Sequence, residues 1–330
     1  MDALFKPTVL TEAINRLHPV KTTICDRIFA AKKFLVSGAF MWEIRSGSRK
    51  TLKNLRPGEA AQITANVGRS VVTCQGTRFS PKRQILASDM ADMRKFGEAQ
   101  ATELLADRIN TELTDMRYEI DRTREFMAAR ALAGQVIDQD GTVLVDYGFA
   151  QAQKPVLAGK AKWTDSESDP IKNIRAWRKW IAQNIGEVDT FHAFCGSDAM
   201  DALLKNTTAV ALLKNQAGRE IAEEGRVTRL GGVNIEEILG GYVDTNDVFQ
   251  DFIPATAFVL VGLSPSAAGE IFAPAIDLAD PSGVGSGKVA QMFFSKSWED
   301  DDPSARWIKA EARPLPVLYK PECVVYATVV

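Results

Sequence analysis

The stretch EAQATELLADRINTELTDMRYEIDRTREFMAARALA, residues 98–133, decides the fold, because it contains neither proline nor glycine and is followed directly by Gly134. A glycine just after a periodic segment is a common helix end. Apolar residues recur along one face at helical spacing, namely Leu105, Ile109, Leu113, Met116, Ile120 and Met127. At 1.5 Å per residue the helix reaches roughly 50 Å. Since its seam lasts only about three heptads, we predict a helix that forms the spine of one domain rather than a coiled coil.

The segment before this helix, residues 36–85, is the least ordinary part of the chain. It combines β-rich pieces, such as Phe40–Arg45 and Arg69–Cys74, with many glycines and prolines, and it shows no amphipathic helix. So long a stretch of hairpin and loop is unusual in a compact domain unless it has a function. A two-stranded ribbon alone in water is also marginally stable. We therefore expect a protruding hairpin that lies on a neighbouring subunit.

The same segment concentrates positive charge in a chain whose net charge is −2. Glu59 is its only acid between Arg45 and Arg83, and acids cluster elsewhere, at 244–251 and 299–302. Opposite charges on one polypeptide favour head-to-tail attraction between copies, although an idle solvated loop explains the charge equally well. The candidate subunit-interface residues are Arg45, Arg49, Lys50, Lys53, Arg56, Arg69, Arg78, Lys82 and Arg83, with Trp42 and Phe79.

Apolar residues of this hairpin are expected to contribute more than the charges, because exposed ion pairs are individually weak. The apolar candidates are Phe40, Trp42, Ile63, Val71 and Phe79. Phe79 is the only aromatic residue between Arg45 and Arg83. Binding of single-stranded nucleic acid needs aromatic residues interleaved with the charges, so a nucleic-acid-binding module is disfavoured.

The rest of the chain predicts an α+β protein. Asp140-Gly141 between apolar runs indicates a hairpin over 135–146, and residues 151–170 form a boundary. An α/β pattern follows, with a helix over 171–185, a strand over 190–195, a helix with Ser197 as its N-cap, and β segments at 233–238 and 257–262. Two extended segments, 313–319 and 323–330, close the chain, and we expect the last strand to pair near the spine helix.

Composition and motifs argue against an enzyme. The chain has 330 residues, is 45% hydrophobic and 25% charged, and carries four cysteines without a CxxC pair, which suits reduced thiols in a cytosol. We predict a soluble intracellular product, since the start lacks the pattern of a signal peptide and no apolar run is long enough for a membrane span.

Each candidate reactive motif fails on spacing. Ser282–Lys288 departs from the phosphate-loop pattern at both ends. His192 and Cys195 lie three apart in a strand and so face opposite sides, and 299–302 lacks the spaced ligands of a calcium loop. We predict no catalytic residues, no cofactor and no metal. A nucleotide-binding enzyme using the loop at 283–288 is kept only as a low-ranking alternative.

The order of parts resembles the Hong Kong-97-type capsid fold, and the residues narrow the resemblance to the lambda-type phage major capsid (head) protein family. Phe294-Ser-Lys-Ser-Trp298, then Asp302–Arg306, then Pro314-Leu-Pro-Val-Leu318 resemble that family's closing motif in order and spacing. Asp169-Pro170 opening a helix and Phe252-Ile-Pro254 are also similar. The similarity is densest after residue 169, and it carries no catalytic motif.

The resemblance implies five parts. They are an N-terminal arm (1–35), an extended hairpin called the E-loop (36–88), a P-domain (89–165) with the spine helix and hairpin, an α/β A-domain (166–302), and return strands of the P-domain (303–330). In this fold the E-loop would lie across the next subunit of the same ring. Lys50 or Lys53 could take the position of the crosslinking lysine found in some relatives, but the lambda type relies on a decoration protein, so no crosslink is expected.

The implied function is that of the major capsid protein of a tailed double-stranded DNA phage or prophage. Copies would form pentamers and hexamers of an icosahedral head shell in the virion, assembled in the bacterial host cytoplasm. Implied partners are other copies, portal, scaffold or protease, and decoration proteins, and enclosed double-stranded DNA bound without sequence specificity, with no membrane. The alternative with the same fold is a cargo-enclosing nanocompartment shell.

Overall fold

The computed structural model describes residues 5–18, 21–46, 68–86, 101–186, 188–209, 226–264, 266–278, 288–300 and 305–330, and side chains are described for all of these except 44–46, 68–70, 75 and 101–106. Within these residues the chain is α+β, as the sequence predicts. The predicted spine helix is present as α3 (Ala101–Leu132). The described residues begin with two helices and a short strand, α1 (Pro7–Arg16), α2 (Thr23–Ile28) and β1 (Lys32–Phe34).

The spine helix serves two cores with one apolar seam. Ile109, Leu113, Met116 and Ile120 join a cluster with α1 and with Phe293 and Ile308. One to two turns further on, the buried residues of 126–132 belong to a second cluster with α2 and several strands. A single helix therefore connects two packing regions. This explains why its apolar face is too long for one contact and too irregular for a coiled coil.

The strands form small sheets around this helix. Their bounds are β2 (Ala39–Ser46), β3 (Gly68–Gln75), β4 (Lys82–Leu86), β5 (Gln135–Ile137), β6 (Val143–Asp146), β7 (Thr190–Cys195), β8 (Arg229–Leu230), β9 (Val233–Glu237), β10 (Gly241–Val243), β11 (Phe249–Asp251), β12 (Ala257–Leu263), β13 (Ala268–Phe272), β14 (Phe294–Asp300), β15 (Ala305–Glu311), β16 (Pro314–Leu318) and β17 (Val324–Thr328). Two three-stranded sheets, β1-β13-β16 and β14-β15-β4, lie beside the helix, and three hairpins pair β2 with β3, β5 with β6 and β10 with β11. The hairpin predicted from Asp140-Gly141 is confirmed as β5–β6.

The α/β pattern predicted after residue 170 is confirmed as a five-stranded sheet of order β17-β12-β7-β9-β8. Helix α4 (Pro170–Ile185) packs one face, and its N-cap Asp169 accepts a hydrogen bond from the backbone N–H of Lys172 at 3.0 Å. Trp163, Trp177 and Phe258 fill the space beneath that helix with ring centroids 4.9–6.1 Å apart. Helix α5 (Ser197–Lys205) completes this layer.

The predicted place of the last strand is wrong. Strand β17 pairs antiparallel with β12, from Ala257 opposite Thr328 to Val261 opposite Val324, and so joins the five-stranded sheet rather than the spine-helix region. Val324 faces one core cluster, whereas Val325 and Ala327 face another. A strand that is apolar on both faces needs a sheet covered on both sides, and the five-stranded sheet provides one.

The predicted N-cap of α5 is also wrong by one residue. Gly196 is the N-cap, and its carbonyl accepts the first helical hydrogen bond, from the N–H of Met200 at 2.9 Å. A Cβ at position 196 would lie 2.2 Å from the carbonyl oxygen of Pro254. Close approach of two backbones, rather than the hydroxyl of Ser197, therefore decides where this helix begins.

Candidate assembly interface

The predicted protruding hairpin has a well-defined two-stranded stem. Strands β2 and β3 pair in register from Ala39 opposite Gln75 to Ser46 opposite Gly68. At 3.3 Å per residue the stem is roughly 23 Å long. On one face Phe40 and Trp42 are buried, at 0% and 5% exposure, within the same cluster as the end of the spine helix. On the other face Met41 and Val71 are exposed, at 62% and 56%.

This alternation corrects the apolar part of the interface prediction. Phe40 and Trp42 anchor the stem to its own subunit and are not available to a neighbour. Phe79 is partly buried against two core clusters, and its backbone N–H and carbonyl form a bridge with Ala312. Val71 is exposed, and its interface role stays a prediction; Met41, exposed on the same face, was not predicted from the sequence. Strict alternation along Phe40-Met41-Trp42 places Met41 and Trp42 on opposite faces, but only packing shows which face is covered.

The predicted basic residues fall into three groups. Arg45 and Arg69 lie opposite each other in the register of the stem, whereas Arg49, Lys50, Lys53 and Arg56, like Ile63, lie outside the described residues. The other three, Arg78, Lys82 and Arg83, lie below the stem and contact their own chain. For Arg45, Arg69 and the four basic residues outside the described range, the interface role stays a prediction.

Arg78 is held by a buried carboxylate. Its Nη2 donates to Glu311 at 3.0 Å, and Lys309 Nζ lies 2.7 Å from the same oxygen. Burial raises the pKa of Glu311, but hydrogen bonds from Arg78, Lys309 and the backbone N–H of Ile276 outweigh it and hold the pKa below its usual range. Glu311 is therefore ionised at neutral pH, and it joins the base of the hairpin to β15.

Arg83 and Lys82 fasten the next strand, β4. Arg83 lies 3.0 Å from Glu112, 3.3 Å from Asp115 and 2.7 Å from Glu119, three acids on one face of the spine helix. Lys82 Nζ lies 4.7 Å above the ring of Trp307, a cation–π contact. These cations therefore help to anchor the hairpin to its own subunit. Their predicted role at an interface stays a prediction.

The N-terminal segment is clamped by charged residues of the spine helix that the sequence analysis missed. Arg117 Nη1 donates to the carbonyls of Ile14 at 2.7 Å and Leu17 at 2.5 Å, at the end of α1. Glu125 accepts from the N–H groups of Ile24 at 2.6 Å and Cys25 at 3.1 Å, at the start of α2. Arg117 and Glu125 are eight residues apart, about two helical turns, so they lie on one face of the helix. That spacing is the sequence feature that could have indicated a shared role.

A buried ion pair joins the clamp to the β1-β13-β16 sheet. Arg124 donates from Nε and Nη2 to the two oxygens of Glu270 at 2.7 and 2.6 Å, and from Nη1 to Asp121 at 2.5 Å. Burial lowers the pKa of Arg124, but the hydrogen bonds to Glu270 outweigh this and raise it. A bidentate pair of this kind fixes the orientation of the two side chains as well as supplying energy. The pair therefore holds the spine helix in a defined position against the sheet.

Some of the candidate reactive residues of the sequence lie within the described part of the chain. They contain no group of three or more His, Cys, Asp or Glu that could hold a metal ion, and none of their helices is both long and apolar enough to cross a membrane. On β7, Phe194 and Cys195 belong to different core clusters, so His192 and Cys195 face opposite sides as predicted. Burial raises the pKa of the Cys195 thiol, which makes it a poor nucleophile. Most of the glycine loop at 283–288 lies outside the described residues.

Comparison with known proteins agrees with this arrangement of arm, hairpin stem, spine helix and α/β sheet. The family model described as phage major capsid protein E matches residues 6–329. The chain belongs to the phage major capsid protein E family. No curated protein sequence matches it.

Solved structures share the capsid fold at low sequence identity. A prophage protein of Escherichia coli CFT073, assigned as a capsid protein, has 17% identity and a TM-score of 0.67, with 98% of this chain and 99% of that one covered. The mature capsid of bacteriophage PhiM1 has 11% identity and a TM-score of 0.56, covering 94% and 87%. The SrpI encapsulin of Synechococcus elongatus PCC 7942 has 10% identity and a TM-score of 0.50, covering 94% and 88%.

These findings confirm the family, the Hong Kong-97-type fold and the function as a major capsid protein. The protein is thus a structural component of a phage capsid. The similarity to an encapsulin shows that fold alone does not separate a capsid from a nanocompartment, whereas the match to the capsid family does favour the capsid.

Proposed function

We propose that this capsid protein closes an icosahedral head shell from pentamers and hexamers, in which each hairpin lies across the next subunit of the same ring. The observation that carries the proposal is the stem β2–β3, which exposes Met41 and Val71 on one face and precedes a basic stretch of sequence. Heterologous contacts of this kind close into rings when their rotation permits. We propose no catalytic role.

The proposed division into arm, E-loop, P-domain and A-domain follows the predicted boundaries with two changes. Strand β17 belongs with the A-domain sheet by its pairing. The boundary at 302/303 falls between β14 and β15, which pair along their whole length and belong to one unit. The A-domain would then comprise the five-stranded sheet, with α4 and α5.

The proposed partners beyond other copies are portal, scaffold or protease, and decoration proteins. Assembly would take place in the bacterial host cytoplasm, and the shell would enclose double-stranded DNA without sequence specificity. Nuclease digestion of purified particles tests this proposal: protected DNA inside them would support it, whereas particles filled with a protein cargo and free of DNA would favour the nanocompartment.

The test of the ring contact is a shortened hairpin. Replacing residues 47–67 by Asn-Gly keeps the stem and all the contacts of Arg78 and Arg83, so the subunit should unfold at an unchanged temperature but form no shells in negative-stain microscopy. Removing the whole of 45–83 would also delete β3 and most of the hairpin base, and would confuse assembly with folding. Intact shells from the shortened variant would refute the proposed contact.

A further inference from the structure

A pocket of about 440 Å³ lies on the five-stranded sheet, near the edge formed by β8. It opens on the face opposite to α4 and α5: Ala193 and Cys195 of β7 join the cluster beneath those helices, and His192 alternates with them. Helix α2 borders the pocket, since Arg27 lies 3.3 Å from Glu236 of β9. The volume falls within the range of roughly 300–1,000 Å³ that ligand sites occupy.

The register of three strands places a row of polar side chains across this face. His192 on β7 lies opposite Asn234 on β9, and Asn234 lies opposite Arg229 on β8. Cross-strand partners project on the same side of a sheet. The sheet therefore brings an imidazole, an amide and a guanidinium group to one pocket, and all three line it.

The lining of the pocket is positively charged. Arg27, Arg226 and Arg229 contribute three guanidinium groups, and Glu236 is the one carboxylate among the described residues that line it. Arg27 contacts Glu236, and Arg226 also interacts with Glu237. Because the arginines outnumber the carboxylate, the pocket favours an anionic ligand.

His192 gives a second and independent indication of a ligand. The residue is only 8% exposed, and its Nε2 has no hydrogen-bond partner among the described residues. Glu236 Oε2 lies 3.5 Å from this nitrogen, which is beyond the usual length of a hydrogen bond. Buried polar atoms without partners are rare in folded proteins. A nitrogen of this kind in a basic pocket is suited to contact an anion.

A phosphate group matches these features, because arginine binds phosphate oxygens through paired N–H donors and the imidazole offers one more donor. We infer that the pocket between α2 and the β7-β9-β8 edge binds a phosphate group, and that in a filled shell this phosphate belongs to the backbone of the enclosed double-stranded DNA. The second part rests on the proposed function. A contact with backbone phosphate carries no sequence information, as the proposed enclosure of DNA requires.

The position of the arginines favours a phosphate that is part of a larger ligand. Arg226 and Arg229 are exposed, and the side chain of Arg27 is 61% exposed. The pocket is thus open at the edge of the sheet, so that the rest of a polymer can lie outside it. A free phosphate ion would use the same donors, and the two sources have to be separated by experiment.

The first test follows the imidazole of His192 by NMR. The chain has only two histidines, His18 and His192, and His18→Gln assigns their signals. Burial lowers the pKa of His192, and Arg27 adds to this against the opposite effect of Glu236. Sulfate is the probe, because it has the shape of phosphate and a constant charge between pH 5 and 8. Bound sulfate should raise the pKa of His192 by about 1, and the His18 signals should not respond.

The control is a matched pair of arginine substitutions. Arg229→Gln removes a pocket cation and should weaken sulfate binding about fivefold or more. Arg175→Gln removes the same charge from an exposed position on α4 and should bind sulfate like the wild type. An equal response in both variants, or no response of His192 in the wild type, would overturn the pocket. Binding that appears only after Glu223→Gln with Glu224→Gln would assign the arginines to the chain's own acidic stretch, and would also overturn it.

A short DNA duplex separates backbone phosphate from free phosphate. The duplex should displace sulfate at His192, and fluorescence anisotropy should show an affinity that falls with salt. Arg229→Gln should reduce the slope of log K against log salt by about 1 relative to Arg175→Gln. A duplex that leaves His192 unchanged while sulfate binds would overturn DNA as the source of the phosphate. Particles free of DNA would instead count against the proposed function and leave the sulfate result standing.

Discussion

At the scale of single residues, the structure shows charges used for anchoring within the subunit. Arg78, Lys309 and Ile276 converge on Glu311, which is fully buried. A buried carboxylate without such partners would be protonated or strongly destabilising. The cluster fastens the base of the protruding hairpin, so its loss should affect folding before it affects assembly.

Replacing Glu311 by glutamine tests this anchor. Because the pKa of Glu311 is lowered in the folded state, its contribution is present above the unfolded value of roughly 4.3 and is lost as the pH falls through the folded pKa. We expect Glu311→Gln to lower the free energy of unfolding by about 3 kcal/mol at pH 7. The deficit should shrink as the pH falls below about 4.

Urea denaturation of the unassembled subunit at several pH values measures this difference. Glu119→Gln is the matched control, because Glu119 also pairs with an arginine but is half exposed. Its effect should stay below about 1 kcal/mol. A Glu311→Gln deficit that is the same at pH 3 and pH 7 would contradict the assigned ionisation.

At the scale of elements, the spine helix positions the N-terminal segment through two charged side chains. One contacts the C-terminal end of α1, and the other contacts the N-terminal end of α2. Arg117 faces the carbonyl end of α1, and Glu125 faces the N–H end of α2. Each charge thus satisfies backbone groups that a helix leaves unpaired and also suits the local helix dipole. The position of the arm therefore depends on the helix.

Glu125→Ala should release α2 while leaving the α/β sheet intact. The loss of two hydrogen bonds to the start of a helix costs about 1–2 kcal/mol, so amide exchange in residues 23–28 should accelerate about tenfold or more. Exchange in α4 should not change. Hydrogen exchange with mass spectrometry measures both, with Glu119→Ala as the control on the same helix. Uniform acceleration along the chain would show a general loss of stability instead.

At the scale of the whole molecule, the outward face of the hairpin stem is one apolar surface that folding of the described residues leaves uncovered. Met41 and Val71 are large, apolar and exposed, whereas Phe40 and Trp42 on the opposite face are buried. Isolated exposed apolar residues are common, but these two lie together on one face of a ribbon in a capsid protein. They are apolar residues of the hairpin stem that assembly can still bury.

Met41→Asp with Val71→Asp should therefore separate assembly from folding. The subunit should keep its unfolding temperature within about 2 °C, since substitutions at exposed sites change stability little. Shell formation should be lost, because a buried and unpaired carboxylate at each contact opposes association. Differential scanning calorimetry and negative-stain microscopy measure the two properties. Gln183→Asp, at an exposed position on α4, is the control for added charge. Shells from the double variant would remove this face from the interface.

The sequence by itself determined the class of the fold, the spine helix, the Asp140-Gly141 hairpin and the α/β run after residue 170, because each depends on local periodicity or turn chemistry. It also determined the family, through motifs whose order survives low identity. Tertiary structure alone decided that Trp42 is an anchor, that Arg78 and Arg83 bind their own subunit, and that β17 joins β12. For Arg78 the outcome depends on a partner more than a hundred residues away in the sequence, Glu311. For Trp42 it depends on which of the two faces of the strand is covered. Neither a charge count nor a period of two contains that information.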